Sequence, residues 1–172
     1  MPTDREFTKI QRWPGYQVYR HEIEEKAGVL RLWVRRKRGN RQIECSGCGR
    51  KFTEIYDVGE RAVRDLPWGE FQTTVFIEIY RVKCPECGVK REKVLQLPSK
   101  APFSKRFEDA VGLASESAPA RQVARQWGLP PSTVRAIDLR YLERWDAARR
   151  KPTLRHMRSE ERRVGKECMP VC

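Results

Sequence analysis

Four cysteines in two matched groups carry the clearest chemistry in the sequence. Cys45-Ser46-Gly47-Cys48-Gly49 and Cys84-Pro85-Glu86-Cys87-Gly88 are both C-x-x-C-G units, with 35 residues between them. One pair of thiols two residues apart is compatible with a metal, a redox cycle or a disulfide. Two pairs favour a metal, because each C-x-x-C turn aims both sulfurs at one tetrahedral ion. The glycine that follows tolerates the positive φ that turns backbone amides toward those sulfurs. A thioredoxin-type dithiol needs a single unit at the start of a helix, whereas the residues after Cys87, Val89 to Leu95, read as a strand. Four thiolates leave no open coordination position. The expected cofactor is therefore one structural Zn2+ held by Cys45, Cys48, Cys84 and Cys87, with iron in a rubredoxin-like site as the metal alternative.

Other chemistry has little to stand on. His21 and His156 form no ligand pair, and the sequence has no phosphate-cradling glycine loop and no nucleophile motif. Asp57, Asp65, Glu70 and Glu78 are scattered over strands and turns and read as solvated or paired, so no catalysis is expected from these residues. The charge is informative. Against 36 Lys+Arg stand 23 Asp+Glu, a net +13, and a field of that sign favours a polyanion. No apolar run approaches the ~20 residues that span a bilayer, and Met1 to Ile10 lacks the apolar core of a signal peptide. A cytoplasmic, nucleoid-associated protein is expected, with double-stranded DNA as partner and neither a membrane nor a small-molecule substrate. Thiols stay reduced in that compartment, which again disfavours a disulfide.

The elements that position the cysteines read as an α+β chain: a β-rich zinc ribbon over 16–97, a linker over 98–103 and a three-helix unit over 104–150. Residues 1–15, broken by Trp13-Pro14-Gly15, are expected to be weakly ordered. Strands are expected over Gln17–Ile23, Val29–Val34, Arg41–Glu44, Val75–Lys83 and Lys93–Leu97, the fourth alternating as a half-buried strand does. The basic turn Arg35 to Arg41 is either a phosphate-contacting loop or a solvated hairpin tip. Loss of the metal is expected to unfold 16–97 and spare the helices.

Past Pro98-Ser99-Lys100-Ala101-Pro102 the apolar period becomes helical. Phe107, Val111 and Ala114 share one face behind a Ser104 N-cap. Val123, Ala124 and Trp127 form a second stripe ending at Gly128, and Val134, Ile137, Tyr141 and Trp145 form a third. A helix, a tight turn through Gly128 and a second helix opening with Ser132 and Thr133 is the helix-turn-helix pattern. It places Ser132, Thr133 and Arg135 where base edges are read, and Arg121, Arg125 and Arg140 where phosphates are held. A solvated basic face on a three-helix bundle is the plainer reading. The long third helix also leaves room for a homodimer.

Taken in order, the four-cysteine ribbon, the segment Val63-Arg64-Asp65-Leu66-Pro67-Trp68-Gly69, the strand into Cys84 and the helix-turn-helix resemble the N-terminal part of bacterial transposases of the ISL-three insertion-sequence family. The resemblance covers about residues 16–150. It implies a ribbon and a helix-turn-helix that bind the terminal inverted repeats of the element, ahead of a catalytic domain with an Asp-Asp-Glu triad beyond Met157. From Arg158 the sequence departs from the family. Arg158 to Cys168 resembles the translation of a sequencing-library adapter, so 151–172 is expected to be a tail, non-native from 158, that carries no function. The alternative is a free-standing zinc-ribbon and helix-turn-helix regulator. A natural stop after Met157 in the source DNA would favour it, and an open frame into a carboxylate-bearing domain would count against it.

Overall fold

The structure, a computed structural model, describes residues 2–39 and 42–149. Asn40 and Arg41 of the expected basic turn, Arg150, His156 and the tail lie outside the described residues. Among the described residues there are four α-helices where the sequence suggested three, together with one 3-10 turn (Glu25–Ala27) and seven strands. The additional helix, α1 (Asp4–Gln11), lies in the segment expected to lack order. A capping box makes it: the Thr3 hydroxyl accepts from the Glu6 amide while the Glu6 carboxylate accepts from the Thr3 amide. Its inner face buries Phe7 and Gln11, and Trp13 follows into the same core.

The main sheet runs β1 (Tyr16–Glu24), β2 (Val29–Arg36), β6 (Phe71–Cys84) and β5 (Asp57–Trp68), with β7 (Gly88–Arg91) also on β6. β2 pairs parallel to β6 and every other pairing is antiparallel. The chain leaves β2, makes the small hairpin β3 (Ile43–Glu44) and β4 (Lys51–Phe52), returns along β5 and then inserts β6 between β5 and β2. The period-two pattern of β6 is obeyed: Thr73, Val75, Ile77 and Ile79 are buried and their neighbours are not. Val75, Ile77 and Ile79 form, with Leu30, Leu32, Val34, Val63 and Phe7, a core separate from the cysteine cluster. The strand expected over Lys93–Leu97 is absent. β7 ends at Arg91, Glu92 and Lys93 pair with the first hairpin, and Val94 to Leu97 closes a turn.

The helical unit follows the expected stripes. α2 (Lys105–Ser117), α3 (Ala120–Trp127) and α4 (Pro131–Ala148) bury Phe107, Val111, Val123, Ala124, Val134 and Ile137 together. Ser104 caps α2 by accepting from the Phe107 amide. Gly128 ends α3 at φ +59, a conformation open to glycine at no steric cost. The stripe on α4 stops early, because Tyr141 is half-buried and Trp145 is exposed.

Residues 98–103, expected to be a linker, are bound to the sheet edge. Arg64 and Phe103 form a parallel bridge, the Arg64 amide donates to the Pro102 carbonyl at 2.8 Å, and the Ser104 amide donates to the Arg64 carbonyl at 2.9 Å. Asp65 is buried at the same place. It accepts from Gln11 of α1 at 2.5 Å, from the Ser104 hydroxyl at 2.6 Å and from Arg106 of α2 at 2.6 and 2.8 Å. One carboxylate thus joins the N-terminal helix, the sheet and the helical unit.

Candidate metal centre and nucleic-acid interface

Each knuckle is the tip of a hairpin. β3 and β4 flank Cys45 to Cys48, and β6 and β7 flank Cys84 to Cys87. The hairpins meet because Cys45 bridges Glu92 and the Lys93 amide donates to the Glu44 carbonyl at 2.7 Å, locking β3 against the residues that follow β7. The four sulfurs come within 4.8 Å of one another, and Cys48 Sγ lies 3.5 Å from Cys84 Sγ. Four ligands at a Zn–S distance of about 2.3 Å would stand about 3.8 Å apart, so the cluster fits one tetrahedral zinc.

The glycines expected at positive φ have it, Gly49 at 74° and Gly88 at 71°. Gly47 is a further member of the site that the sequence reading passed over. A Cβ there would sit 2.8 Å from Cys87 Sγ and 3.3 Å from Cys87 Cβ, so only glycine lets the second knuckle close on the first. The x-x composition of a knuckle holds that signal: a residue without a side chain between two ligands marks where the partner knuckle approaches. Gly47→Ala is expected to weaken zinc binding about five- to a hundredfold in competition with a chromophoric chelator, a response on the order of the 1–3 kcal/mol that overpacking costs.

The thiols are unevenly prepared for the metal. Burial alone would raise the Cys84 thiol, but the amides of Cys87 and Glu86 and the neighbouring sulfurs bring it down to about 7. Cys87 is pushed up to about 12, first by its hydrogen bond to Cys48 and then by burial. One proton therefore leaves readily while others stay until a cation displaces them, so metal binding releases protons and weakens as pH falls. Around the sulfurs lie Ile43, Val82, Phe52 and Tyr80, a core far smaller than that of the main sheet. The cysteines thus serve one end of 16–97, not the whole of it.

The helical residues expected at DNA divide into two groups. Ser132, Arg135, Arg121 and Arg125 are exposed and Thr133 is half-buried, with Val134 and Ile137 turned into the core behind them. Among the described residues, none of the three arginines has a carboxylate partner. Arg140 departs from the expectation that it holds phosphate. It donates to Glu108 at 2.7 and 3.0 Å, and Arg144 donates to the other oxygen of Glu108 at 2.9 Å and to Asp109 at 2.8 Å. The Glu108 side chain is 0% exposed, so Arg140 and Arg144 are committed to holding α4 on α2. Their positions three and seven residues after Ile137, beside the buried stripe, carry that signal in the sequence.

The turn between α3 and α4 is also anchored. Arg64 of β5 donates to the Trp127 carbonyl at 2.7 Å and the Gly128 carbonyl at 3.3 Å, and its guanidinium lies 5.1 Å from the Phe107 ring centre. The basic turn after β2 divides in the same way. Arg36 pairs with Glu92 and stacks on Tyr16 and Tyr80, while Arg35, Lys37 and Arg38 are exposed.

Comparison with known proteins places the cysteines in a defined setting. Residues 41–87 match the family model described as the zinc-finger of transposase IS204/IS1001/IS1096/IS1165. The chain is 29% identical over 128 residues to the transposase for insertion sequence element IS1001 of Bordetella parapertussis, an overlap of 73% of this chain and 31% of that protein. The chain thus spans about a third of that relative. No solved structure matches. The two matches support the resemblance to the N-terminal part of an ISL-three-family transposase, and with it a zinc ribbon that carries one structural zinc on Cys45, Cys48, Cys84 and Cys87. Among the described residues no helix is long and apolar enough to cross a membrane.

Proposed function

We propose that this chain recognises double-stranded DNA sequence-specifically, as the part of a transposase that holds the terminal inverted repeat of its element. The N-terminal end of α4 enters the major groove, with Ser132, Thr133 and Arg135 at base edges and Arg121 and Arg125 on the phosphates that flank them. The observation that carries this reading is the division of the arginines. Those at the start of α4 and along α3 are exposed and, among the described residues, have no carboxylate, while Arg140 and Arg144 further along are neutralised by Glu108 and Asp109. A basic face that was only solvated would have no reason to be confined to the end that docks. The net charge of +13 and the similarity to a transposase support the same partner. The reading includes pairing of two chains through the far half of α4, where Leu139, Leu142 and Trp145 are exposed. Cutting and rejoining of DNA would belong to a further domain.

Selection of bound duplexes from a random library, followed by titration of the selected duplex, tests the proposal. Arg135→Ala is expected to cost about 1–3 kcal/mol on the selected sequence and much less on unrelated duplexes, with specificity relaxed at one base pair. An equal loss on every duplex would move Arg135 to a phosphate. Failure to enrich any sequence would remove the specific reading altogether.

A further inference from the structure

At the end of the sheet beside the metal hairpins, a cleft of about 360 Å³ opens on the core side, lined by Arg61, Arg81 and Arg91 from three adjacent strands and by Ile79, Val94 and Leu97 at its base. The register explains the convergence. Asp57, Arg81 and Arg91 stand directly opposite one another across β5, β6 and β7, and Gly59 is opposite Ile79 in the row toward Arg61. Glycine at 59 leaves the floor open, with nothing within 4 Å of where a Cβ would stand.

Three acids, Asp57, Glu60 and Glu92, line the cleft with the three arginines, but they are not placed to neutralise Arg61 and Arg91. The Glu92 carboxylate is taken by Arg36 and the Tyr80 amide. Asp57 faces Arg81 at 3.5 Å, a long contact between two half-exposed side chains. Glu60 also lines the cleft, but it occupies the alternate position on β5, opposite Glu78, from which strand alternation directs its carboxylate toward the other face of the sheet. Among the described residues Arg61 has no carboxylate: its guanidinium is fixed by donation to the carbonyls of Ser99, at 3.0 Å, and Ala101, at 2.5 Å. Arg91 is exposed, has no ion-pair partner among the described residues and stands close enough to Arg61 for their like charges to be felt. One guanidinium is thus held rigidly and, among the described residues, a second stands beside it without an ion-pair partner, both at the rim of an open cleft that admits a phosphate group with room to spare. Planar guanidinium forks bind phosphate in this way, two donors to two oxygens.

We infer that the Arg61–Arg81–Arg91 cleft is a phosphate-binding site that takes a backbone phosphate of the duplex. It makes the sheet, and not only the helices, a DNA-contacting surface. The source of the phosphate rests on the function proposed above, whereas the anion site itself rests on the cleft. Arg61 lies three residues from Arg64 on β5, about 10 Å along the strand, and Arg64 holds the turn between α3 and α4. Both arginines belong to the edge strand β5, and their odd separation sends the two side chains to opposite faces of the sheet, so one duplex would meet both by passing across that edge.

Arg91→Gln tests it in the zinc-loaded full chain, because the side chain is exposed and carries no packing. Inorganic phosphate is titrated while the Arg61 and Arg91 guanidinium resonances are followed. A 20-base-pair duplex is bound in parallel over a range of salt concentrations, with Lys26→Gln as a surface-charge control. The expected result is a saturable shift of both arginines in the wild type that Arg91→Gln abolishes. On duplex, Arg91→Gln is expected to weaken every sequence equally, roughly tenfold as for a charged hydrogen bond, and to lower the salt slope by about one, which Lys26→Gln does not do. A phosphate response with an unchanged duplex slope means a free-anion site and overturns the backbone assignment. No phosphate response in a chain that binds duplex, with the slope unchanged, overturns the cleft while leaving the proposed function standing. A wild-type chain that binds no duplex removes that function and the backbone assignment together.

Discussion

Removing zinc is expected to melt one end of the β layer and leave the rest of the chain folded. Structural zinc supplies on the order of 10 kcal/mol to small ribbons that have little core of their own, and here the dependent part is well delimited. β3 and β4 have two residues each, and an isolated hairpin of that size does not persist in water. Beyond the sulfurs it is held by Ile43, Val82 and Phe52 and by the bridge from Cys45 to Glu92. The sheet of β1, β2, β6 and β5 instead closes over Leu30, Leu32, Val34, Val75 and Ile77, none of which touches the metal cluster. Chelation, or Cys84→Ser, should therefore expose the amides of Cys45, Gly49 and Lys93 to rapid hydrogen exchange, since their acceptors lie within the first hairpin. Amides along β2 and β6 should stay protected. Acidification should imitate chelation, because the thiolates that bind zinc are reprotonated as pH falls. Global unfolding on chelation would restore the simpler idea that all of 16–97 is one zinc-dependent ribbon.

The reason the sequence suggested that larger ribbon is physical. Alternation in Val75 to Val82 and the matched knuckles are local signals, and both proved reliable guides to β6 and to the cysteine cluster. Insertion of β6 between β2 and β5 is not local. It depends on a parallel pairing between Val29–Val34 and Gln72–Ile77 that no turn signal announces. Helix α1 was legible in Thr3 and Glu6 but was outweighed by the Trp13-Pro14-Gly15 break, which ends the helix and does not prevent it. Tertiary charge pairing is the least legible layer. Glu92 meets Arg36 across 56 positions, and Glu108 meets Arg140 across 32. Spacing within either segment therefore contained no hint that these acids are buried, and for Arg140 only its place beside the Ile137 stripe hinted that it packs inward.

Asp65 should show the same point with the second large effect. Asp65→Ala removes a carboxylate that is 0% exposed and leaves Arg106, Gln11 and the Ser104 hydroxyl without their shared acceptor. Breaking a buried pair from one side costs about 3–5 kcal/mol, and the value here should fall toward the lower end because Arg106 keeps 31% of its side chain in solvent. The consequence extends past stability. Asp65 is where α1, β5 and the start of α2 are tied together; the helical unit is otherwise held by the 98–103 strip, the contacts of Arg64, the Lys105 amide on the Gln96 carbonyl and the bond from Arg106 to Gln11. Calorimetry should therefore resolve one cooperative transition in the wild type into two in Asp65→Ala. Zinc affinity should be unchanged, since the cysteines lie at the other end of β6. DNA affinity should fall more than the loss of stability explains, because two contact surfaces on a loosened joint lose the effective concentration that a rigid one confers. Asn in place of Ala restores one acceptor oxygen for Arg106 and should recover part of both. A single transition and wild-type DNA affinity in Asp65→Ala would mean that the bridge between Arg64 and Phe103 alone sets the geometry of the two surfaces.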